Sequence, residues 1–231
     1  MRKTFYIPLI FLLIHTSCQT NKDLKGTWIS AYEFDATDTL TASDGIHLNQ
    51  IITFEDKYCT IKEFKFFRYE DFRRNRYSFK NGKLRVLNDS IEALDSDFDY
   101  GFDLIKPLTK DSLVLTNEMS LRRKRVYKKL HDSLKNKSNK ISLSGKSFVR
   151  EFDKLTDTIT FVNDSIFKNT SFWIDGTGNT DLHWERISHF GYDIVFMDYT
   201  IPYIVKKEKG NTIYLSAFDK IKIDFTLTEL K

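Results

Sequence analysis

The sequence predicts an all-β fold, an antiparallel meander built twice in tandem. Three observations predict it. Short β-prone runs recur along the chain, turn-forming pairs separate them, and the two halves carry matching landmarks. With three prolines and nine glycines, the chain after its first segment has no disordered composition. Its 20 phenylalanines and 11 tyrosines supply ample aromatic surface to bury.

The runs Ile51–Phe54, Tyr77–Phe79, Lys83–Leu87 and Ser112–Thr116 predict strands in the first half. Thr158–Val162, Tyr192–Met197, Thr212–Leu215 and Ile221–Leu227 do so in the second. The last alternates apolar with polar residues, as a strand with one wet face does. Asn81-Gly82 lies between two runs and favours a tight hairpin, because both central residues of such a turn need positive φ. Glu55-Asp56, Asn163-Asp164 and Gly210-Asn211 punctuate other runs. Strands in sequence joined by tight turns give a meander, not alternating strands and helices.

Lys124–Lys140 is strongly basic and poorly patterned. It reads as a strand end followed by a linker or a short exposed helix, and it divides the chain. Residues 24–130 form one β domain, 131–140 a linker, and 141–231 a second, diverged β domain. Leu24-Lys25-Gly26-Thr27-Trp28-Ile29 and then Ile52-Thr53-Phe54 mark the first half. Leu143-Ser144-Gly145-Lys146-Ser147-Phe148 and then Ile159-Thr160-Phe161 mark the second. Aligning the glycines sets Ser147 against Trp28. The extra length of the first half falls in the polar stretch Ala36–Ile46. Lys110-Asp111-Ser112-Leu113 matches Gly210-Asn211-Thr212-Ile213. These matches read as a tandem duplication.

The first residues have another character. Met1-Arg2-Lys3 precedes an apolar run from Phe5 to Ile14, and then His15-Thr16-Ser17-Cys18 follows. A basic start, a short apolar stretch and small residues describe a secretory signal peptide over residues 1–17. The run is too short for a membrane span, which needs about 20 apolar residues. The segment resembles the signals of bacterial lipoproteins, with Thr16 and Ser17 before the cysteine. His15 departs from the aliphatic residue that the family carries there. The resemblance implies lipidation of Cys18, with residues 18–23 as a tether. Gln19, where an aspartate would imply retention at the inner membrane, implies the outer membrane, facing the periplasm. The other reading is a cleaved signal that leaves a free thiol. Losing Arg2 and Lys3 takes the net charge from +4 to +2. That balance, together with export, excludes nucleic acid as a partner.

Leu24-Lys25-Gly26-Thr27-Trp28 resembles the opening of lipocalin-like domains, antiparallel β-barrels that begin with a Gly-x-Trp motif. The resemblance implies two tandem barrels or partial barrels. It also implies that Gly26 turns the chain into the barrel, that Trp28 plugs the closed end, and that Arg123 or Arg125 from the last strand packs on the indole.

Candidate chemistry is sparse. Asp95, Asp97, Asp99 and Asp103 alternate as calcium ligands can, but Gly101 and Lys106 do not fit a helix–loop–helix calcium loop. A solvated acidic edge accounts for them. Asp175–Asp181 is a Gly-rich polar loop without the Gly-Lys-Ser/Thr of a phosphate loop. His183 and His189 lack the convergent partners that zinc needs. Phe64–Phe79 interleaves aromatics with arginines, as a hairpin does when its rings enter the core and its charges face water. Trp173 and Trp184 read as core residues. No catalytic motif and no cofactor site is present in the sequence. The expectation is a non-enzymatic, membrane-tethered protein that holds a small apolar or amphipathic ligand in a barrel. The alternative is an envelope interaction module with filled barrels, which domains of about a hundred residues favour.

Overall fold

The computed structural model describes residues 24–35, 49–65, 68–80, 83–87, 100–104, 109–117, 120–136, 141–152, 155–170, 182–198 and 200–231. They form two closed, eight-stranded antiparallel barrels. The first contains β1 (Gly26–Asp35), β2 (Asn49–Phe54), β3 (Tyr58–Lys65), β4 (Arg68–Lys80), β5 (Lys83–Leu87), β6 (Tyr100–Leu104), β7 (Ser112–Asn117) and β8 (Ser120–Lys129). The second contains β9 (Lys146–Phe152), β10 (Leu155–Phe161), β11 (Ile166–Asn169), β12 (Leu182–His189), β13 (Tyr192–Met197), β14 (Tyr203–Lys209), β15 (Thr212–Phe218) and β16 (Lys222–Glu229). Each strand pairs with its neighbours in sequence, and the last strand closes on the first.

The turns follow from their residues. Lys209 stands opposite Thr212, so Gly210-Asn211 makes a two-residue turn, with φ of 62° at the glycine. Asn163 Oδ1 accepts from the backbone N–H groups of Ser165 and Ile166 and so ties the β10–β11 turn. Lys80 stands opposite Lys83; Asn81-Gly82 itself lies outside the described residues, as do Ala36–Ile46 and Asp175–Asp181.

One end of each barrel is packed shut, and we call it the floor. In the first barrel Trp28, Phe54 and Tyr77 fill it with Leu24 beneath them. The indole N–H of Trp28 donates to the Leu24 carbonyl at 2.7 Å. In the second, Phe148, Phe161 and Trp184 fill the same level.

The two floors correspond residue by residue, in a register one place away from the alignment of the glycines. Thr27 faces Thr53 and Trp28 faces Ile52, whereas Ser147 faces Thr160 and Phe148 faces Ile159. The hydroxyl pairs Thr27–Thr53 (3.0 Å) and Ser147–Thr160 (2.8 Å) coincide. The N–H groups of Leu130 and Leu230 reach the carbonyls of Thr27 and Ser147, both at 2.8 Å. Tyr77 packs edge-on against Phe54 and hydrogen-bonds the next turn, and Trp184 does the same on Phe161. Phe148, not Ser147, therefore takes the place of Trp28, and the aromatic plug is kept in both barrels.

The cation on the plug is also corrected. Arg123 stands opposite Asp35 and Arg125 opposite Glu33, well along β8 from Trp28. Lys129 lies directly opposite Trp28, with its ammonium 5.1 Å from the ring centroid. Gly26, at φ 124°, leaves the room this needs, since a Cβ there would sit 2.9 Å from Lys129 Cε. In the second barrel Glu229 replaces Lys129 and Lys146 replaces Gly26, and these two form an ion pair at 3.0 Å.

Of the linker between the barrels, residues 131–136 are described, and His131, Asp132, Ser133 and Lys135 are exposed. After β8 the chain makes a single 3-10 turn at Asp132–Leu134, and Leu130 and Leu134 are buried. They join a second core, between the barrels, with Ile29, Ile51 and Phe64 on one side and Ile194, Phe196 and Ile204 on the other. Phe64 and Phe196 stack at 5.9 Å. Polar contacts cross the same seam. His189 Nε2 and Thr53 Oγ1 lie 2.7 Å apart, Tyr192 donates to the Leu130 carbonyl (2.9 Å), and Asn49 donates to the Met197 carbonyl (3.1 Å). The first two join floor to floor, and the third joins levels nearer the opposite ends. The barrels thus lie side by side with both floors at one end and both mouths at the other.

Cys59 is buried under the first floor, opposite Phe54, and burial pushes its thiol up to about 12. The thiolate is the reactive form. The peptide containing Cys59 is therefore expected to escape alkylation in the native protein at neutral pH and to react fully in denaturant. Mass spectrometry reads both, and equal modification in the two states would show that the thiol is not enclosed.

Candidate functional site

The second barrel keeps a cavity of about 230 Å³ at its mouth. Strand alternation explains who lines it. On β9, Phe148 fills the core, so Arg150 and Phe152 also point inward. On β10 the same holds for Asp157 beside Ile159 and Phe161. Tyr203, Ala217, Ile223 and Phe225 come from β14, β15 and β16, and Ile201 from the preceding loop. The wall is chiefly apolar, with Tyr203 and Phe225 edge to face at 4.8 Å.

A charged cluster borders this apolar space. Arg150 and Asp157 are direct cross-strand partners. The Arg150 Nε donates to one carboxylate oxygen of Asp157 at 2.8 Å, and its Nη2 donates to the other. Its Nη1 donates to the Tyr203 hydroxyl at 2.7 Å. Burial opposes the guanidinium's charge, but the Tyr203 hydroxyl and the Asp157 carboxylate more than offset this and raise its pKa. Burial likewise raises the Tyr203 pKa, so it is a neutral phenol at physiological pH. The arrangement is fit to hold a molecule whose apolar body lies on Phe152, Ile223 and Phe225 and whose polar end meets Arg150, Asp157 and Tyr203. No hydrolytic nucleophile and base stand together there.

Deeper in the same barrel lies a second ionic cluster. Arg186 forks onto Asp193 (2.9 and 2.5 Å) and reaches Glu208 at 2.5 Å. It also donates to the Ile141 carbonyl (2.6 Å), while Glu208 accepts the Ile141 N–H (2.7 Å). This cluster holds the incoming chain across the floor, with Leu143 packed into the core beside it. The first barrel has its own inward polar layer, where Tyr127 donates to Gln50 and Arg125 to Glu33 (3.3 Å).

The residues singled out from sequence fall elsewhere. Gly26 and Trp28 are structural parts of the first floor. Arg125 belongs to the interior polar layer. Cys18, Asp95, Asp97, Asp99 and Trp173 lie outside the described residues, and Asp103 is placed on β6 opposite Lys83. His183 and Asp198 are neighbours on β12 and beyond β13, and His189 belongs to the seam. No group of three or more metal-ligating side chains occurs among the described residues. Arg150, Asp157 and Tyr203 were not anticipated. The signal was present, since Arg150 alternates with Phe148 and Phe152, and Asp157 with Ile159 and Phe161. A charge of each sign sat on what is otherwise the apolar face. No family model matches the chain, and neither a curated protein nor a solved structure matches it.

Proposed function

We propose that this is an exported lipoprotein of the outer membrane, tethered through Cys18, whose second barrel holds one small apolar or amphipathic molecule without transforming it. The mouth cavity, bordered by Arg150, Asp157 and Tyr203, carries the binding reading. Its volume of about 230 Å³ lies below the ~300–1,000 Å³ of sites for larger ligands. The occupant is therefore a short acyl chain or a single-ring compound with one polar end. The matching floors support a lipocalin-like pair that arose by duplication. The tether rests on the residues around Cys18.

Titration with an apolar fluorescent probe tests the reading. We expect saturation at one probe per chain, and displacement by short-chain amphiphiles. Ala217→Phe fills the cavity without touching a polar contact, and should weaken the probe by more than about tenfold, the loss of roughly one buried side chain's worth of contact. Unchanged melting of that variant excludes misfolding. Equal binding by the parent and by Ala217→Phe would sink the binding site and leave the envelope interaction module as the better account.

A further inference from the structure

Three of the four large apolar side chains exposed among the described residues stand at the floor end. Val162 follows β10, Phe190 tips the β12–β13 turn, and Leu230 follows β16; only Ile221 stands at the mouths. Phe190 is the most telling. It is 46% exposed and has a φ of 50°, the sole positive φ at a non-glycine residue among those described. His189 faces Tyr192, so Phe190-Gly191 is a two-residue turn with positive φ at both positions. Asparagine is the favoured first residue of such a turn, and a bulky ring is strained there. The ring packs edge to face on His189 at 4.8 Å, yet nearly half of it stays in water, and a strained, half-exposed apolar tip points to a contact outside the chain.

The surroundings of that tip carry both signs of charge. A cleft of about 450 Å³ between the two floors is lined by Lys25, Glu55, Lys129, His131, Asp132, Lys135 and Phe190, among others. Lys25, His131 and Lys135 have carboxylate partners in Asp56, Asp111 and Asp132. No carboxylate lies within ion-pair distance of Lys129 among the described residues, where its ammonium meets only the Trp28 ring.

The same end carries Leu24, the first described residue. Leu24 lies beneath the first floor, and five residues separate it from Cys18. Even fully extended they reach only about 20 Å. We infer that the floor end is a membrane-docking face. Phe190, with Val162 and Leu230, enters the headgroup layer of a phospholipid bilayer, and Lys129 meets a phosphate there. Both mouths then open away from the membrane. This rests on the tether proposed above.

The test uses the anchored protein in vesicles containing phosphatidylglycerol, with a nitroxide attached through Phe190→Cys in one sample and Ile221→Cys in another. The buried thiol of Cys59 stays unlabelled. We expect the label at 190 to collide with oxygen dissolved in lipid and to be shielded from a water-soluble nickel chelate, and the label at 221 to show the reverse. A label at 190 as wet as that at 221 would overturn the docking face. The denatured mass of the sample tells the two ideas apart. A chain without lipid defeats the tether alone, and the same labels on protein mixed with vesicles still decide the face.

Discussion

Arg186→Met is expected to cost about 3–5 kcal/mol of stability at neutral pH, the scale for removing one member of a buried ionic group. Arg186, Asp193 and Glu208 are almost wholly enclosed, with side-chain exposures of 8%, 3% and 4%. Methionine fills much the same space but removes the guanidinium that both carboxylates share. Each would then hold a proton more tightly folded than unfolded. Stability carried by such groups is present at low pH and lost as pH rises through the raised folded value. The variant should therefore recover part of its deficit on acidification from neutral pH towards the ordinary carboxylate range, while the parent does not gain. Denaturant unfolding across that range reads the difference. A deficit that is the same at every pH would mean that lost packing, not stranded charge, is the cause.

Trp28→Ala should be nearly as damaging, at about 3–5 kcal/mol for emptying a large aromatic site in a core. The side chain is fully buried, closes the floor with Phe54 and Tyr77, and supports the Lys129 ammonium. Its N–H also satisfies the Leu24 carbonyl. Trp28→Phe should be much milder, because the second barrel already places Phe148 at the equivalent point. Its loss is mainly one hydrogen bond, about 1 kcal/mol. Comparable unfolding midpoints for the two variants would show that the ring itself contributes little.

The strands that the sequence announced are those with long apolar runs. β2, β4, β5, β7, β10, β13, β15 and β16 each hold all or nearly all of one of the predicted runs. β3, β11 and β14 were not foreseen: Ile166–Asn169 is only four residues long, and Tyr203–Lys209 ends in Lys-Lys-Glu-Lys. β2 and β13 are buried at every position, on the faces towards both their own core and the seam. Such runs announce burial on both sides without naming the neighbour, so the seam could not be read. The floor register slipped by one residue because glycine was the most visible landmark, whereas the conserved physical event is the hydroxyl pair and the ring beside it. The mouth site was legible in principle and overlooked in practice. Residue type alone would put Arg150 and Asp157 in water, and only their alternation with Phe148, Phe152 and Phe161 places them inside.

Ring closure has a kinetic consequence. Trp28 stands opposite Lys129, and Phe148 opposite Glu229. Each barrel's final ladder joins residues far apart in the chain, 75 positions for Thr226 and Glu151 and 101 for Trp28 and Lys129. Contacts so distant in sequence bear the loop-closure entropy before they return any energy, and they slow folding. Neither barrel can complete itself until its eighth strand has arrived. A growing chain thus stays open and unlocked until late in its synthesis.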